Sequence, residues 1–439
     1  MGKILATVIA LPLIGVAGAA GYVTWQNIQT YEVQQQRSVS DVNNALRAQG
    51  LALDAQTVSR SLFGAMREEV YVLRDLIQGA ELAGLRQQVT IEPFRAYGHF
   101  GLDPDIGVAA MFLKQFPQLT AQQRGSWTFD GRTRQVVSHY QSGPLDLSLP
   151  SGSSVHMAPL VMDAVSGSGD DTTAQVSLHF PALTAAQAAS GVTVDLKGLH
   201  MDARTRLQDN EPFIERMRYR LSSLAVDGGN MTVSLRGLQS EQGTLVENGV
   251  MASLMTLAFD DFRLASASKD LRVDPSRVSL YVDGIDWPAL QAANNHLQQA
   301  GDSDGSAGDV LNAFSAVGAH GASMTLESLH SSFIFNDLGP AGIGASGDVK
   351  ASGNMTLAAG EAETLAQDWL NRLEVSLALD MSRSLMQSPL AEYMVQMVNA
   401  GYLREDGDRL ISNLRLQGGI LSANDVPVDG LAQAGQDLD

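Results

Sequence analysis

The sequence predicts a mainly β fold of the α+β class: an N-terminal transmembrane helix followed by an extended, curved antiparallel β-sheet in one or more domains, with a few packed helices. Three observations lead there. First, Val192-Thr193-Val194-Asp195-Leu196-Lys197-Gly198-Leu199-His200 is echoed by Met231-Thr232-Val233-Ser234-Leu235-Arg236-Gly237-Leu238-Gln239, and Val278 to Asp283 is a third run of this kind that turns at Gly284. Apolar residues alternate with polar ones, as in a half-buried strand, and the first two runs are expected to close on their glycines. Second, similar alternation recurs along the chain between Gly, Asp and Ser turns. Third, Ile4 to Val23 carries no charge and is long enough to cross a bilayer core of about 30 Å as a helix.

Composition narrows the function classes. A chain of 439 residues with 44% hydrophobic content can bury a sizeable core, in two to three domains or in one extended β structure with an anchor. Its 48 acidic against 29 basic residues give a formal charge of -19, a surface that repels phosphate and excludes nucleic acid as a natural partner. The absence of cysteine excludes disulfides, thiolate catalysis and cysteine-ligated metal.

Residues 1–25 are expected to anchor the chain in the bacterial inner membrane as a single pass. Lys3 and the amino terminus favour a cytoplasmic N-terminus, which leaves the bulk of the chain in the periplasm, and Tyr22 and Trp25 suit the outer interface. A signal peptide cleaved near Ala17-Gly18-Ala19 is the alternative. Residues 26–55 read as a juxtamembrane helical spacer, with Ser40 or Asp41 placed to cap a helix carrying Val42, Ala45 and Leu46. Residues 56–300 form the repeat-built β region. Within it Val70 to Leu73 is a strand core, and Asp130-Gly131 turns a hairpin between Trp127 and Tyr140. Leu145, Leu147 and Leu149 alternate, as do Ala174 to Phe180 beyond the polar turn at Ser166 to Asp171. Residues 182–190 fit a helical turn or a loop, and Glu211 to Leu221 fits a strand or a helix. Val250 to Leu264 reads as one long strand with room for a bulge. Trp287, Leu290 and Leu297 then recur at helical spacing.

Residues 301–309, rich in Gly, Ser and Asp, form a flexible linker. Asp302, Asp304 and Asp309 lack the order and the closing glutamate of a calcium loop. The C-terminal β region, residues 310–430, has strands at Met324 to Leu329, Phe333 to Leu338 and Leu373 to Met381. A helix over 389–401 has Ser388 as its N-cap and Pro389 in its first turn, and a hairpin follows through Gly418-Gly419. Residues 431–439 are a tail.

No catalytic, cofactor-binding or metal-ligating residues stand out. The eight histidines are scattered, with no pair at metal-binding helical spacing. There is no nucleophile elbow, P-loop or dinucleotide fingerprint. Adjacent carboxylates such as Asp260-Asp261 point to opposite faces of a strand.

Several segments taken in order resemble the YdgA-like family of bacterial envelope proteins, whose function is unknown. They are Arg60-Ser61-Leu62-Phe63-Gly64, Tyr97-Gly98-His99-Phe100-Gly101, Val282 to Trp287 running on to Asn294-Asn295, and Gly401 to Asp408 leading into Leu416 to Pro427. The glycine-to-tryptophan spacing is shorter here, and Asn424-Asp425 stands where the family has asparagine-glycine. The resemblance implies an anchored envelope protein and no particular chemistry.

Together these features lead to the expectation of a non-enzymatic periplasmic protein without cofactor. Its strand row Val192, Val194, Leu196, Met231, Val233 and Leu235 would either line a groove for lipid or another apolar ligand or pack as ordinary core on the 389–401 helix. The alternative is an envelope scaffold acting through contacts with another copy or an envelope protein; an envelope hydrolase using Asp283 or Asp286 is less favoured.

Overall fold

The computed structural model describes residues 50–428 apart from 62–65, 93–94, 134, 149–151, 168–172, 209–210, 301–315, 338–343 and 361–370. Before residue 50 it describes 35–36, 39–40, 42–43 and 46–47. The expected anchor at 1–25, linker at 301–309 and tail at 431–439 lie outside the described residues. Among those described, no helix is long and apolar enough to cross a membrane. The fold is mainly β and antiparallel, in two compact units: one runs to Ala189 and includes Asp195–Met217, and the other comprises Ser190–Val194 and the chain from Arg218 on.

The first unit is a meander of β1 (Leu51–Arg60), β2 (Met66–Asp75), β3 (Glu81–Glu92), β4 (Arg95–Asp103), β5 (Arg124–Asp130) and β6 (Gln135–Gln141). Helices α1 (Val108–Gln115) and α2 (Gln118–Ala121) lie between β4 and β5. β7 (Leu145–Ser148), β8 (Ser154–Met157), β9 (Val161–Gly167) and β10 (Thr173–Gln187) complete it. The pairings Gln141↔Val161 and Leu145↔Met157 share one register, so β6 with β7, and β8 with β9, are two long strands each broken once. Pro144 and Pro159 lie in the two breaks and have no N–H to offer the ladder. Ser142 spans the gap: its N–H donates to the Leu160 carbonyl and its hydroxyl accepts from the Leu160 N–H, both at 2.9 Å.

Alternation is clean here. Trp127, Phe129, Val136 and Tyr140 are buried with Leu53, Leu73, Leu85 and Met162, while Val137 and His139 face outward. The described residues between 35 and 47 are helical, and Val39, Val42 and Leu46 pack on this core. Ser40 is itself helical rather than capping, Asp41 lies outside the described residues, and the spacer ends before 55, because Leu51 already begins β1. Asn43 ties the two together by imitating a neighbouring strand: its amide donates to the Leu53 carbonyl at 2.9 Å and accepts from the Leu53 N–H at 2.6 Å. Residues 183–186, left between turn and loop by their alanine content, are strand because they pair with β8.

β11 (Val192–Gln208) and β12 (Glu211–Asp227) carry residues of both units, and 211–221 is strand rather than helix. The second unit continues with β13 (Met231–Glu247), β14 (Val250–Phe259), β15 (Asp261–Ser266), β16 (Lys269–Asp286), α3 (Trp287–Ala300), β17 (Ala322–Asp337), β18 (Gly344–Leu357) and β19 (Leu373–Ser382). A 3-10 turn at Arg383–Gln387, α4 (Ala391–Asn399), β20 (Arg404–Asp406), β21 (Arg409–Gln417), β22 (Ile420–Ala423) and β23 (Val426–Pro427) close it. β14 and β15 form one strand interrupted at Asp260, since both pair with β13 in a single register. From β13 the order runs through β14/β15, β16, β17, β18 and β19 to β21, each pair antiparallel.

Three expectations are corrected here. The repeated strands do not end at their glycines: β11, β13 and β16 run through Gly198, Gly237 and Gly284, which adopt φ of 63°, 65° and 81°. A left-handed glycine inside a strand kinks it without ending it. Met324 to Leu329 and Phe333 to Asp337 are one strand, β17, with a register shift between Leu326 and Leu329, and Leu338 lies outside the described residues. Helix α4 begins at Ala391, without a side-chain cap, and the Ser388 hydroxyl accepts only from the Leu390 N–H at 3.2 Å. Its end is as expected: Gly401 has φ of 80°, and the Tyr402 N–H reaches back to the Met397 carbonyl.

Candidate functional site

Residues directly opposite in an antiparallel pair project to the same face of the sheet. In the second unit this aligns three apolar rows. One is Val233, Leu264, Leu271, Phe335 and Ala345; the next is Leu235, Phe262, Val273, Phe333 and Gly347. Further along, Met255, Leu280, Leu326, Gly353, Leu377 and Leu414 form another. Among the described residues, one end of this face is well covered. There Met381 and Leu410 are buried with Leu385, Met394 and Leu403, and Phe333, Phe335, Val349 and Leu379 pack against them. Away from that end the apolar side chains are half-buried, and Met255 and Leu257 are exposed.

At the margin of the covered end lies a pocket of about 640 Å³. Met231, Leu264, Leu271 and Phe335 contribute from the strands, and Gln387, Ser388 and Pro389 from the segment leading into α4. Its rim is polar, with Ser266, Lys269, Asp270 and Asn336. The volume is in the range of about 300–1,000 Å³ typical of small-molecule pockets. Of the row proposed from sequence, Met231 lines the pocket, and Val233 and Leu235 stand half-buried in the adjoining rows. Val192, Val194 and Leu196 are half-buried on β11. Leu264, Leu271 and Phe335 could not be named beforehand. Each sits in a visibly alternating run, but only the strand register brings them to one place.

The opposite face of β13 to β16 is an ionic lattice. Arg236 and Arg272 converge on Asp261 at 2.7 and 3.0 Å, Arg272 also meets Asp274, and Arg263 grips both oxygens of Asp270 at 2.8 and 3.1 Å. The Arg263 hydrogen bond holds the Asp270 carboxyl below its ordinary range. Burial pulls Asp261 upward, but bonds to Asp274 and Arg236 prevail and hold it low. Arg409 pins three strands by reaching Asp380 and Asp348, each at 2.6 Å.

The two carboxylates considered for hydrolysis have local structural partners. Asp286 accepts the Ala289 N–H at 2.9 Å, capping α3, and lies 2.9 Å from His320 Nδ1; Asp283 accepts the Gly284 N–H. His139 and His156 each meet an aspartate, Asp163 and Asp146, at 2.7 Å on exposed surface. Among the described residues no three His, Asp or Glu side chains are grouped to hold a metal ion.

Sequence reasoning also missed a buried polar cluster in the first unit. Glu69, fully buried, accepts hydrogen bonds from the Tyr71 hydroxyl at 2.9 Å and the Gln87 amide at 2.7 Å, and Trp127 Nε1 donates to Gln87 at 3.3 Å. Gln35 of the N-terminal helix donates to the Tyr71 hydroxyl at 3.0 Å. The cluster holds the helix to the sheet. In comparisons with known proteins, no family model, no curated protein and no solved structure matches this chain.

Proposed function

We propose that this chain is a non-enzymatic protein of the bacterial envelope, similar to the YdgA-like family, held in the inner membrane by its N-terminal segment with its bulk in the periplasm. In this reading the second unit binds an apolar ligand of the acyl-chain type on its sheet. The observation that carries it is the pocket between Met231, Leu264, Leu271, Phe335 and Pro389, opening beside rows of half-buried aliphatic side chains. Exposed aliphatic surface is costly in water, at about 25 cal/mol per Å². A face arranged this way gains by taking up an apolar guest.

The test is photocrosslinking of the full chain, held in amphipol, with a diazirine-bearing long-chain alcohol. Adducts are expected on the peptides carrying Leu264, Leu271 and Phe335, and Leu264→Trp, which fills the pocket, should remove them. Labelling spread evenly over the chain, or absent from these peptides, would sink the proposal.

A second reading, contact with a partner protein or another copy, is favoured by one patch. Leu245, Val250 and Leu254 are 55%, 44% and 41% exposed and share the face of β13 and β14 opposite the rows. Cysteine placed at Leu254 in the otherwise cysteine-free chain should crosslink to a neighbour in intact envelopes if this patch is an interface.

A further inference from the structure

We propose that His179 of β10 with His200 and Asp202 of β11 forms a binding site for a divalent transition-metal ion, copper or zinc. The three residues belong to the first unit, and the site is independent of the apolar-ligand reading of the second.

The strand ladder assembles what the sequence scatters. His139 stands opposite Asp163, and Asp163 opposite Ser177, so all three project to one face of the sheet. His179, two residues beyond Ser177, shares that face. Its ring lies against the ring of His200, with centroids 5.9 Å apart and planes at 63°. Asp202, two residues beyond His200, brings its Oδ2 to 3.0 Å from His200 Nε2. The group is open to solvent: His179 is exposed, and the His200 and Asp202 side chains are 36% and 46% exposed.

Two distances suit an ion. An imidazole nitrogen ligates zinc at about 2.0–2.1 Å, which sets the ring centre roughly 3.2 Å from the metal, so two rings sharing an ion have centres at most about 6.4 Å apart. The observed 5.9 Å falls inside that limit. The 3.0 Å between His200 Nε2 and Asp202 Oδ2 is the spacing of two neighbouring ligands each about 2.1 Å from one centre. The three side chains do not converge on one point as they stand. Closing the site takes a turn of the His179 ring, which has no hydrogen bond or ion pair among the described residues to give up. The neighbouring charges are engaged elsewhere. Arg204, next on this face of β11, meets Glu215 at 2.9 Å, and Asp163 meets His139 at 2.7 Å. Asp202 is left as the carboxylate that offsets the ion. Donor chemistry then selects the metal, because imidazole suits copper, nickel and zinc, whereas calcium and magnesium take shells of oxygen.

The experiment titrates the full chain, in a non-ionic detergent and without a polyhistidine tag, with Cu2+ and with Zn2+. Binding is read by calorimetry and, for Cu2+, by electron paramagnetic resonance. One ion per chain is expected, copper tighter than zinc, with nitrogen couplings from two imidazoles in the copper spectrum. Ca2+ at the same concentration should give no binding heat. His179→Asn and His200→Asn should each weaken binding about tenfold or more and leave coupling from a single imidazole. His139→Asn, altered on the same face, should change neither. His179 is exposed and holds no polar contact, so its variant keeps the fold and its result stands by itself. Absence of copper and zinc binding by the unaltered chain, an affinity and spectrum untouched by His179→Asn, or calcium bound as tightly as zinc would overturn the proposal.

Discussion

Gly237 shows how much one residue can hold in place. Its φ of 65° lies in the left-handed region, and a Cβ there would stand 2.0 Å from Asp260 Oδ2, at the break between β14 and β15. Gly191 has a similar φ of 67° but open space around it. Gly191→Ala should therefore cost only the backbone term, about 1–2 kcal/mol. Gly237→Ala should cost measurably more, because Asp260 must also move. Urea denaturation of the two variants side by side checks the difference, and equal midpoint shifts would show that the Asp260 contact carries no weight. Asp348 offers a second test. Hydrogen bonds from Arg409 and then Ser382 hold its carboxyl well below the ordinary carboxylate range, against the opposing effect of burial. A carboxyl lowered on folding contributes stability that is fully present above its unfolded value, near 3.9, and lost as pH falls through the folded value. Asp348→Asn should therefore lower stability by about 1–3 kcal/mol at neutral pH, and the difference from the unaltered chain should shrink below about pH 4. Acid titration of the unfolding midpoint measures both effects.

At the scale of elements, α4 and the preceding 3-10 turn are joined to the sheet by a small apolar cluster. Leu385 is 3% exposed and sits with Met381, Met394, Leu403 and Leu410. Leu385→Ala should cost about 2–5 kcal/mol, the range for emptying a buried leucine site. Amide exchange in α4 should accelerate well before exchange in β18 and β19; uniform acceleration would mean that the segment and the sheet open together. The N-terminal helix depends on a different device. Asn43 offers β1 an amide in place of a strand neighbour, so Asn43→Ala should raise proteolysis between 35 and 47 while the meander beyond β1 stays protected. The hairpin at Asp130-Gly131, the strand at Val70 to Leu73 and the helix after Asp286 were all legible in the sequence, because each follows from residues within one turn or one alternating run. The strands through Gly198, Gly237 and Gly284 were misjudged for the same reason. A glycine that turns a chain and one that kinks a continuing strand have identical neighbours in sequence, and only the partner strand distinguishes them.

For the molecule as a whole, the formal charge of -19 sets a long-range repulsion on top of these local contacts. Adding monovalent salt from low to physiological strength should raise the thermal midpoint by screening it. A falling midpoint would show that surface ion pairs such as Arg263 with Asp270 outweigh the net repulsion.

What the sequence determined by itself was the chemistry of each segment: a mainly β chain with short helices, no cysteine chemistry, and apolar residues laid out at strand period. These are properties of neighbours along the chain, and alternation expresses them directly. The tertiary structure decided which strands lie side by side, that β14 and β15 are one broken strand, and that Leu264, Leu271 and Phe335 meet around a pocket with Lys269 at its rim. Those outcomes depend on register between residues far apart in sequence. A shift of one position would turn every side chain to the other face, and nothing local records which register is chosen.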